Sequence, residues 1–518
     1  MRFENPCPKC VVFTVITEGN FVTTAALENT FSYSNFHYLQ LARYPVVSQS
    51  KERGAMSNLR RSHRCAGLIV GAAVGDALGA PFEFQSAGNY KLRFPSTVYG
   101  GIGEMIGGGS FRWLPGEFTD DTQMALSLAL SILECNGFDP DHLWSFWRSW
   151  ADSAKDIGNT TSHSLSFENR HDVSHPNPSL TAANGALMRA FPLALLNNST
   201  DELRSIALEQ GNMTHPHPAA SWGAWLGVAM MHGAVQGNDP FKTLDKELAL
   251  MPKDAAEDFL PLLAPEWQPT SGRINNGSIW GCLADAVWAV RNTTSFEDAV
   301  VKAVNLGDDT DTVACVAGAL AGAIYGIQAI PSRWTTYLNG EVNTPNGIEQ
   351  FDNARLNEIS RSLANLQPPP DAPDEKPAGP AEVEERLFAA NRSGASHAPL
   401  DWAIVSLCLV GNRFENHKYR REIYLIDQSG DANPDLEVAV NDAVNSIDAF
   451  LEEGHNVLVH CHGGRSRTGL ILKAWKMKKE RWSGLDGELK AHDWLSKKWD
   501  LYRNTHFKDF LKDDWNQE

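Results

Sequence analysis

The stretch NLGDDTDTVACVAGALAGAIYG, Asn305 to Gly326, crowds Asp308, Asp309 and Asp311 together and then turns almost purely apolar. From Thr312 to Ile330 the chain is uncharged and rich in Ala and Gly. Beginning directly after acidic residues, that composition predicts a close-packed core helix rather than a lipid-facing span. The same texture recurs in AGLIVGAAVGDALGA, TQMALSLALSILEC and AASWGAWLGVAMMHGAVQG, all with helical spacing, while strand-like alternation is scarce. Residues 61–365 are therefore expected to form an all-α domain of many helices packed through small side chains.

On either side the texture changes. Residues 1–60 are polar and lack sustained periodicity, a poorly defined extension in which Met56 is an alternative start. LQPPPDAPDEKPAGPAEVEE combines proline with acidic residues, so 366–385 reads as a solvated connector between domains. Beyond it, WAIVSLCLV, EIYLID and NVLVH read as strands and LEVAVNDAVNSIDAFLEEG and GLILKAWKMKK as helices. Their alternation predicts a small α/β domain over 386–518.

A second acidic cluster, in GEFTDDTQMALSLAL, sets Thr119, Asp120, Asp121 and Thr122 before another apolar helix. Taken singly, either cluster is explained by helix capping and the helix dipole. Capping needs one acceptor, however, and the two clusters together supply a surplus of carboxylates and hydroxyls. Oxygen donors without His or thiolate select hard cations, Mg²⁺ or Mn²⁺ first and Ca²⁺ behind, and two clusters could hold a dinuclear centre.

The totals narrow the partners. A 518-residue chain with a formal net charge of -18 repels nucleic-acid backbones and acidic membranes, so neither is an expected partner. Eight cysteines without regular spacing fit free thiols in a reducing cytoplasm, the expected location. Cys7 and Cys10 form half of a zinc knuckle that no second pair completes. The early run CVVFTVI is too short for a secretory signal. The glycines of GGIGEMIGGG lack dinucleotide-binding spacing and follow no clear βαβ strand, so they do not support a nicotinamide cofactor.

The motifs GLIVGAAVGDALGAPFE, PGEFTDDTQMALSLA, NGALMRAFPLAL, THPHP and NLGDDTDTVACVAGALAGAIYG stand in an order that resembles the ADP-ribosylglycohydrolase family. The resemblance implies that Thr119, Asp120, Asp121, Asp309, Asp311 and Thr312 hold two Mg²⁺ or Mn²⁺ ions, with Glu83 beside them. Glu83 is then the carboxylate that moves a proton as the anomeric bond breaks, with Asp121 second. Asn184 and Gly185 resemble part of the family's ADP-ribose cradle, although a plain turn explains them equally well on local sequence. Asp76, inside an apolar helix, is expected to satisfy a buried backbone group rather than to reach the ions. For His215 and His217, an ordinary loop and ligand contact both remain open. Family members often carry glycine where this chain has Asp308.

VLVHCHGGRSRTGLI, Val457 to Ile471, separates Cys461 from Arg467 by five residues, after an apolar strand and before a helix. With His460, Gly463, Gly464, Ser466 and Thr468 it resembles the protein tyrosine and dual-specificity phosphatase signature. There, backbone N–H groups and the helix end receive a phosphate, and Arg467 grips two of its oxygens. The same field favours a nucleophilic Cys461 thiolate, with no cofactor for this domain. His460, Gly464, Ser466 and Thr468 are expected to line the phosphate site, His462 and Arg465 to add positive charge. Asp427 is the expected general acid and Asp431 the reserve.

These readings together imply a bifunctional hydrolase acting on an ADP-ribosylated protein or other ADP-ribosylated substrate and on a phosphorylated one. The alternative is that one domain only binds ADP-ribose or phosphate.

Overall fold

The N-terminal body is built on α1 (Arg53–Gly79), α2 (Asp120–Cys135), α3 (Pro218–Val235) and α4 (Thr310–Tyr325), which carry the Ala/Gly texture noted above. Gly67, Gly71, Gly75 and Gly79 recur every fourth residue and so share one face of α1. That face meets α4 backbone to backbone, the two helices running antiparallel. A Cβ on Gly71 would stand 2.5 Å from the Gly318 carbonyl oxygen, and one on Gly75 closer still to that of Ala314. At the end of the crossing, a Cβ on Gly79 would stand 2.5 Å from the Asp311 Cα. The segment Arg60–Phe82 is long and apolar enough by composition to cross a membrane, but from Cys65 onward it is buried inside the body, as a core helix is.

The computed structural model describes residues 53–515 except 270–273, 368–372, 374, 429–431 and 503. Cys7, Cys10 and the reserve acid Asp431 lie outside the described residues. Residues 53–60, expected to belong to the extension, are the first turns of α1. A hairpin of β1 (Asn339–Thr344) and β2 (Gly347–Asp352) adds a small antiparallel sheet to the otherwise helical body.

The C-terminal domain has a five-stranded sheet in the order β3-β4-β7-β5-β6, from β3 (Ala381–Glu384), β4 (Leu387–Asn391), β5 (Ala403–Ser406), β6 (Arg420–Glu422) and β7 (Val457–Cys461). β3 pairs antiparallel with β4 and the other neighbours are parallel. β5 and β7 are buried along their whole length, which is why they read as unbroken apolar runs. α5 (Leu436–Glu452) and α6 (Arg467–Glu480) pack on the sheet.

Two expectations are corrected. The stretch 366–385 is not all connector, because 381–384 is β3; the hairpin turns at Arg386, which adopts a left-handed φ of 60° without any glycine to announce it. The Asn391 side chain also ties this stretch down, accepting from the Ala378 amide at 3.0 Å and donating to the Lys376 carbonyl at 2.7 Å. Second, EIYLID is strand only to Glu422. Past it, the backbone groups of Tyr424, Leu425 and Ile426 bond to the side chains of Gln328, Arg467 and Asn433 instead of to a neighbouring strand.

Besides the connector, the two domains meet directly, and Glu52–Glu518 gather into one compact unit. Arg421, fully buried, donates to the carbonyls of Tyr99 (2.5 Å), Gly101 (3.1 Å) and Gly100 (3.3 Å) in the helical body. The Ser332 amide donates to Asp442 at 2.7 Å.

The helix crossing is directly testable. Gly75→Val forces a side chain into the α4 backbone and is expected to cost about 3 kcal/mol or more, the upper end for overpacking. A Cβ on Gly158, at the N-cap of the short helix Asn159–Leu165, meets nothing within 4 Å, so Gly158→Ala should cost no more than about 1 kcal/mol. Urea unfolding followed by circular dichroism reads both.

Candidate active sites

The antiparallel crossing delivers the C-terminal end of α1 to the N-terminal end of α4, and with it the first site. After Gly79 the chain turns through Ala80–Phe82 to Glu83. The Phe84 amide donates to the Asp308 carbonyl at 2.7 Å, and the Asp308 amide returns a bond to Gln85 at 2.8 Å. Asp308 sits at φ 59°, left-handed backbone that suits glycine, and its side chain is exposed.

Asp76 settles the capping question at α2. Its Oδ1 accepts from the Thr119 amide at 2.8 Å; its Oδ2 accepts from the Thr122 amide at 3.0 Å and the Thr122 hydroxyl at 2.5 Å. The cap therefore comes from α1, as the buried-partner reading of Asp76 expected. Asp120 and Asp121 are left over for something else.

Asp121 joins the two acidic clusters. Its Oδ2 accepts from the Thr119 hydroxyl at 3.1 Å and from the Thr312 hydroxyl, 191 residues away in the chain, at 3.3 Å. Glu83, Asp156 and Asp311 each bring a carboxylate oxygen to within 4.8 Å of the others. Asp309 accepts at Oδ2 from the Asn184 side-chain amide at 2.8 Å, while its own amide donates to Asn276 at 3.2 Å.

Three buried oxygens here, Glu83 Oε2, Asp121 Oδ1 and Asp311 Oδ1, have no hydrogen-bond partner among the described residues. All are acceptors, so what they lack is a donor or a cation. Burial, and then the neighbouring carboxylates, push Asp120, Asp121 and Asp311 well above the usual carboxylate range. Burial first and Asp156 second push Glu83 up to about 8; burial pushes Asp156 up to about 6. A hard divalent ion fits this donor set, since it would satisfy the orphaned oxygens and offset the mutual repulsion.

Gly185 lies against His215, where a Cβ would come within 2.9 Å of the ring. That ring is buried, bonded to Thr214 Oγ1 at 2.7 Å and, through burial, held well below its usual pKa. His217 accepts from the Ala219 amide at 3.2 Å and caps α3. Sequence reasoning missed Asp156, which belongs to no motif, and Asn276, which also holds Asn184 through its carbonyl at 3.1 Å. The pair Asn275–Asn276 beside Gly277 was the available signal, a turn with spare amides.

The second site lies between β7 and α6. Cys461 ends the strand, buried, and Arg467 begins the helix. Gly464 sits at φ 71° with its backbone against Ala390, where a Cβ would come within 2.7 Å of the carbonyl oxygen. Trp499 Nε1 donates to the Gly464 carbonyl at 2.6 Å and fixes the loop from outside. Arg467 Nη1 donates to the carbonyls of Leu407 (3.2 Å) and Leu425 (3.0 Å). Among the described residues its Nε has no hydrogen-bond partner, and neither do the buried hydroxyls of Ser466 and Thr468. Asp427 stands 3.8 Å from that Nε, with its side chain 38% exposed.

His460 departs from expectation. It is fully buried, bonded to Ser406 at 2.8 Å and packed on Phe414, and burial pushes its pKa down to about 3. It joins β7 to β5 rather than lining the open face of the loop. Arg465 does not stand as a bare cation either, since Glu375 pairs with it at 3.2 Å.

A helical body with a nest of buried carboxylates, joined to a sheet that ends in a cysteine loop, describes a two-domain hydrolase. Residues 56–372 match the family described as ADP-ribosylglycohydrolase, and residues 404–500 match the dual specificity phosphatase catalytic domain. The chain belongs to the ADP-ribosylglycohydrolase family and carries a dual specificity phosphatase catalytic domain behind it. It is 33% identical over 287 residues to the ADP-ribosylarginine hydrolase Tri1 of Pseudomonas putida (strain GB-1), covering 52% of this chain and 73% of that protein. It is 31% identical to the ADP-ribosyl-[dinitrogen reductase] glycohydrolase of Rhodospirillum rubrum, over 54% of this chain and 91% of that one. Identity to the human ADP-ribosylhydrolase ARH3 is 25%, over 56% of this chain and 92% of that one.

Because Asp76 receives two backbone N–H groups at α2, Asp76→Asn would turn an amide donor toward one of them. It is expected to lower stability by about 1–3 kcal/mol, the cost of leaving buried donors unmatched, read as a lower urea midpoint.

Proposed function

We propose that the helical body removes ADP-ribose from a modified substrate with the help of divalent metal, and that the C-terminal domain hydrolyses a phosphate monoester through Cys461. The observation that carries the first half is the convergence of Thr119 and Thr312 on Asp121, beside the orphaned oxygens of Glu83, Asp121 and Asp311. Thr119, Asp120, Asp121, Asp309, Asp311 and Thr312 would hold two Mg²⁺ or Mn²⁺ ions. Metal held there would supply orientation for the ribose hydroxyls and a water, and stabilisation of developing charge.

Glu83 moves the proton. Buried beside Asp156 and Asp311 with its Oε2 unmatched, it would deliver a proton to the leaving group as the anomeric bond breaks. Asp121, tied by two threonine hydroxyls, orients rather than transfers. Asn184 and Gly185 contribute to the ADP-ribose cradle, Asn184 by steadying Asp309 and Gly185 by letting His215 lie close.

In the second domain the orphans are hydrogen-bond donors, Arg467 Nε and the Ser466 and Thr468 hydroxyls, and a phosphate dianion supplies the acceptors they lack. The Cys461 thiolate forms a bond to phosphorus as the phosphorus–oxygen bond to the leaving group breaks. Asp427 protonates the departing oxygen; water then displaces the thiolate, returning its proton to Asp427. The substrates are an ADP-ribosylated protein or other ADP-ribosylated molecule and a phosphorylated molecule, met in the cytoplasm.

The two chemistries should separate in one chain. Cys461→Ser is expected to abolish phosphate release while ADP-ribose release continues, and Asp311→Asn to do the reverse, both assayed on full-length protein. Retention of both activities in either variant would overturn the assignments. Chelation should stop ADP-ribose release, with recovery on adding Mg²⁺ or Mn²⁺, and leave phosphate release unchanged; ADP-ribose release that survives exhaustive chelation contradicts the metal.

A further inference from the structure

The segment that carries Asp427 does not hold itself in place. β6 is an edge strand, paired on one side with β5, and its outer side is covered by the helical body. The Tyr337 hydroxyl accepts from the Arg420 amide at 3.2 Å, and the Glu422 amide donates to Thr336 Oγ1 at 2.9 Å. Past the strand, Gln328 takes over. It lies in the short turn Ile327–Ala329 just after α4, only 4% exposed.

The Gln328 side-chain amide donates to the Tyr424 carbonyl at 3.0 Å and to Asn433 Oδ1 at 2.7 Å, and its Oε1 accepts from the Asp435 amide at 3.5 Å. Asn433 in turn brackets Ile426 on both sides, accepting from its amide at 2.9 Å and donating to its carbonyl at 2.9 Å. Ile426 is the residue before Asp427. Between these two clamped points lies Leu425, whose carbonyl holds Arg467. A single side chain of the helical body thus reaches, through Tyr424 and Asn433, the backbone that carries Asp427, while Arg467 keeps a second anchor at the Leu407 carbonyl that Gln328 does not touch.

We propose that Gln328 is a positioning residue for the phosphatase reaction: the glycohydrolase body sets where the Asp427 carboxyl stands relative to the leaving-group oxygen. The inference rests on the reading of Asp427 as general acid. Proton delivery depends on heavy-atom placement within hydrogen-bond reach, so loosening Ile426 penalises the step that needs the proton and spares one that does not.

The test uses the full chain and two esters. Phenyl phosphate has a leaving oxygen that needs a proton; 2,4-dinitrophenyl phosphate releases a phenolate that departs without one. In Gln328→Met, which keeps the volume and removes the hydrogen bonds, kcat/KM for phenyl phosphate, which reports ester cleavage and not the later loss of phosphate from Cys461, is expected to fall about 10-fold, a fraction of the roughly 100-fold or greater contribution of a placed general acid. The kcat/KM for the dinitrophenyl ester and ADP-ribose release should change less than about twofold, the last confirming that the body is intact. Asp427→Asn should show the same selectivity at larger size, and Asn433→Ala should reproduce it from within the phosphatase domain. Equal losses on both esters in Gln328→Met, or none on either, overturn the inference while leaving the phosphatase reading standing. If Asp427→Asn discriminates no better between the esters than wild type, the reading of Asp427 falls, and the inference with it.

Discussion

Everything at the first site depends on two helices approaching at backbone distance. α1 and α4 cross with glycine against glycine, Gly71 against Gly318 and Gly67 against Gly322, so the separation is set by main-chain atoms rather than by side chains. Close helix packing of this kind gains dispersion contacts and excludes voids. It also fixes the register of two chain segments far apart in sequence. Gly79 is the functional end of that register: with any side chain there, Asp311 could not stand where it does, and the turn to Glu83 would be displaced. The Thr310 hydroxyl bonds to the Gly79 carbonyl at 2.9 Å, locking the same point from the other helix.

The two sites present opposite deficits. Around Asp121 the unmatched atoms are carboxylate oxygens in a buried nest, and burying them uncompensated would be expensive. Around Arg467 the unmatched groups are donors at a helix end, where the backbone adds positive character. Each deficit is kept because neighbouring groups that would otherwise consume these atoms are satisfied elsewhere. Asp76 caps α2 from outside, so Asp120 and Asp121 need not. The carbonyls of Leu407 and Leu425 take Nη1 of Arg467, which fixes the guanidinium while leaving Nε open.

Much of this was readable in the sequence because it rests on local pattern. The Ala/Gly periodicity announced α1 to α4, and DDT before an apolar run announced acidic helix starts whose excess oxygens exceed any capping need. The cysteine loop was legible for the same reason, being one continuous strand–turn–helix. What escaped depends on tertiary placement. Asp156 sits in a connecting loop with no motif, and only the fold brings it to Glu83 and Asp311. His460 reads as part of the loop, yet strand alternation turns it into the sheet against Ser406 and Phe414. The β3–β4 hairpin escaped because its turn residue, Arg386, holds a conformation the sequence usually gives to glycine or asparagine.

The domain contact was the least legible feature, and its chemistry explains why. Arg421 is buried with no carboxylate bonded to it among the described residues; its charge is met by the carbonyls of Tyr99, Gly100 and Gly101, which no sequence pattern marks as special. Those carbonyls face it because Glu104, three residues on, is pinned by Arg333 at 2.9 Å and Trp334 at 2.8 Å and accepts from the Val98 amide at 2.9 Å. The cation is therefore held by a preformed backbone surface of the helical body rather than by a surface ion pair that salt would screen. α4 then has a part at both of its ends: its first turn supplies Asp311 and Thr312 to the carboxylate site, and the turn after its last residue supplies Gln328 to the segment that carries Asp427. A rigid, glycine-packed helix is a poor lever but a good ruler, and here it fixes the place of both sites from one element.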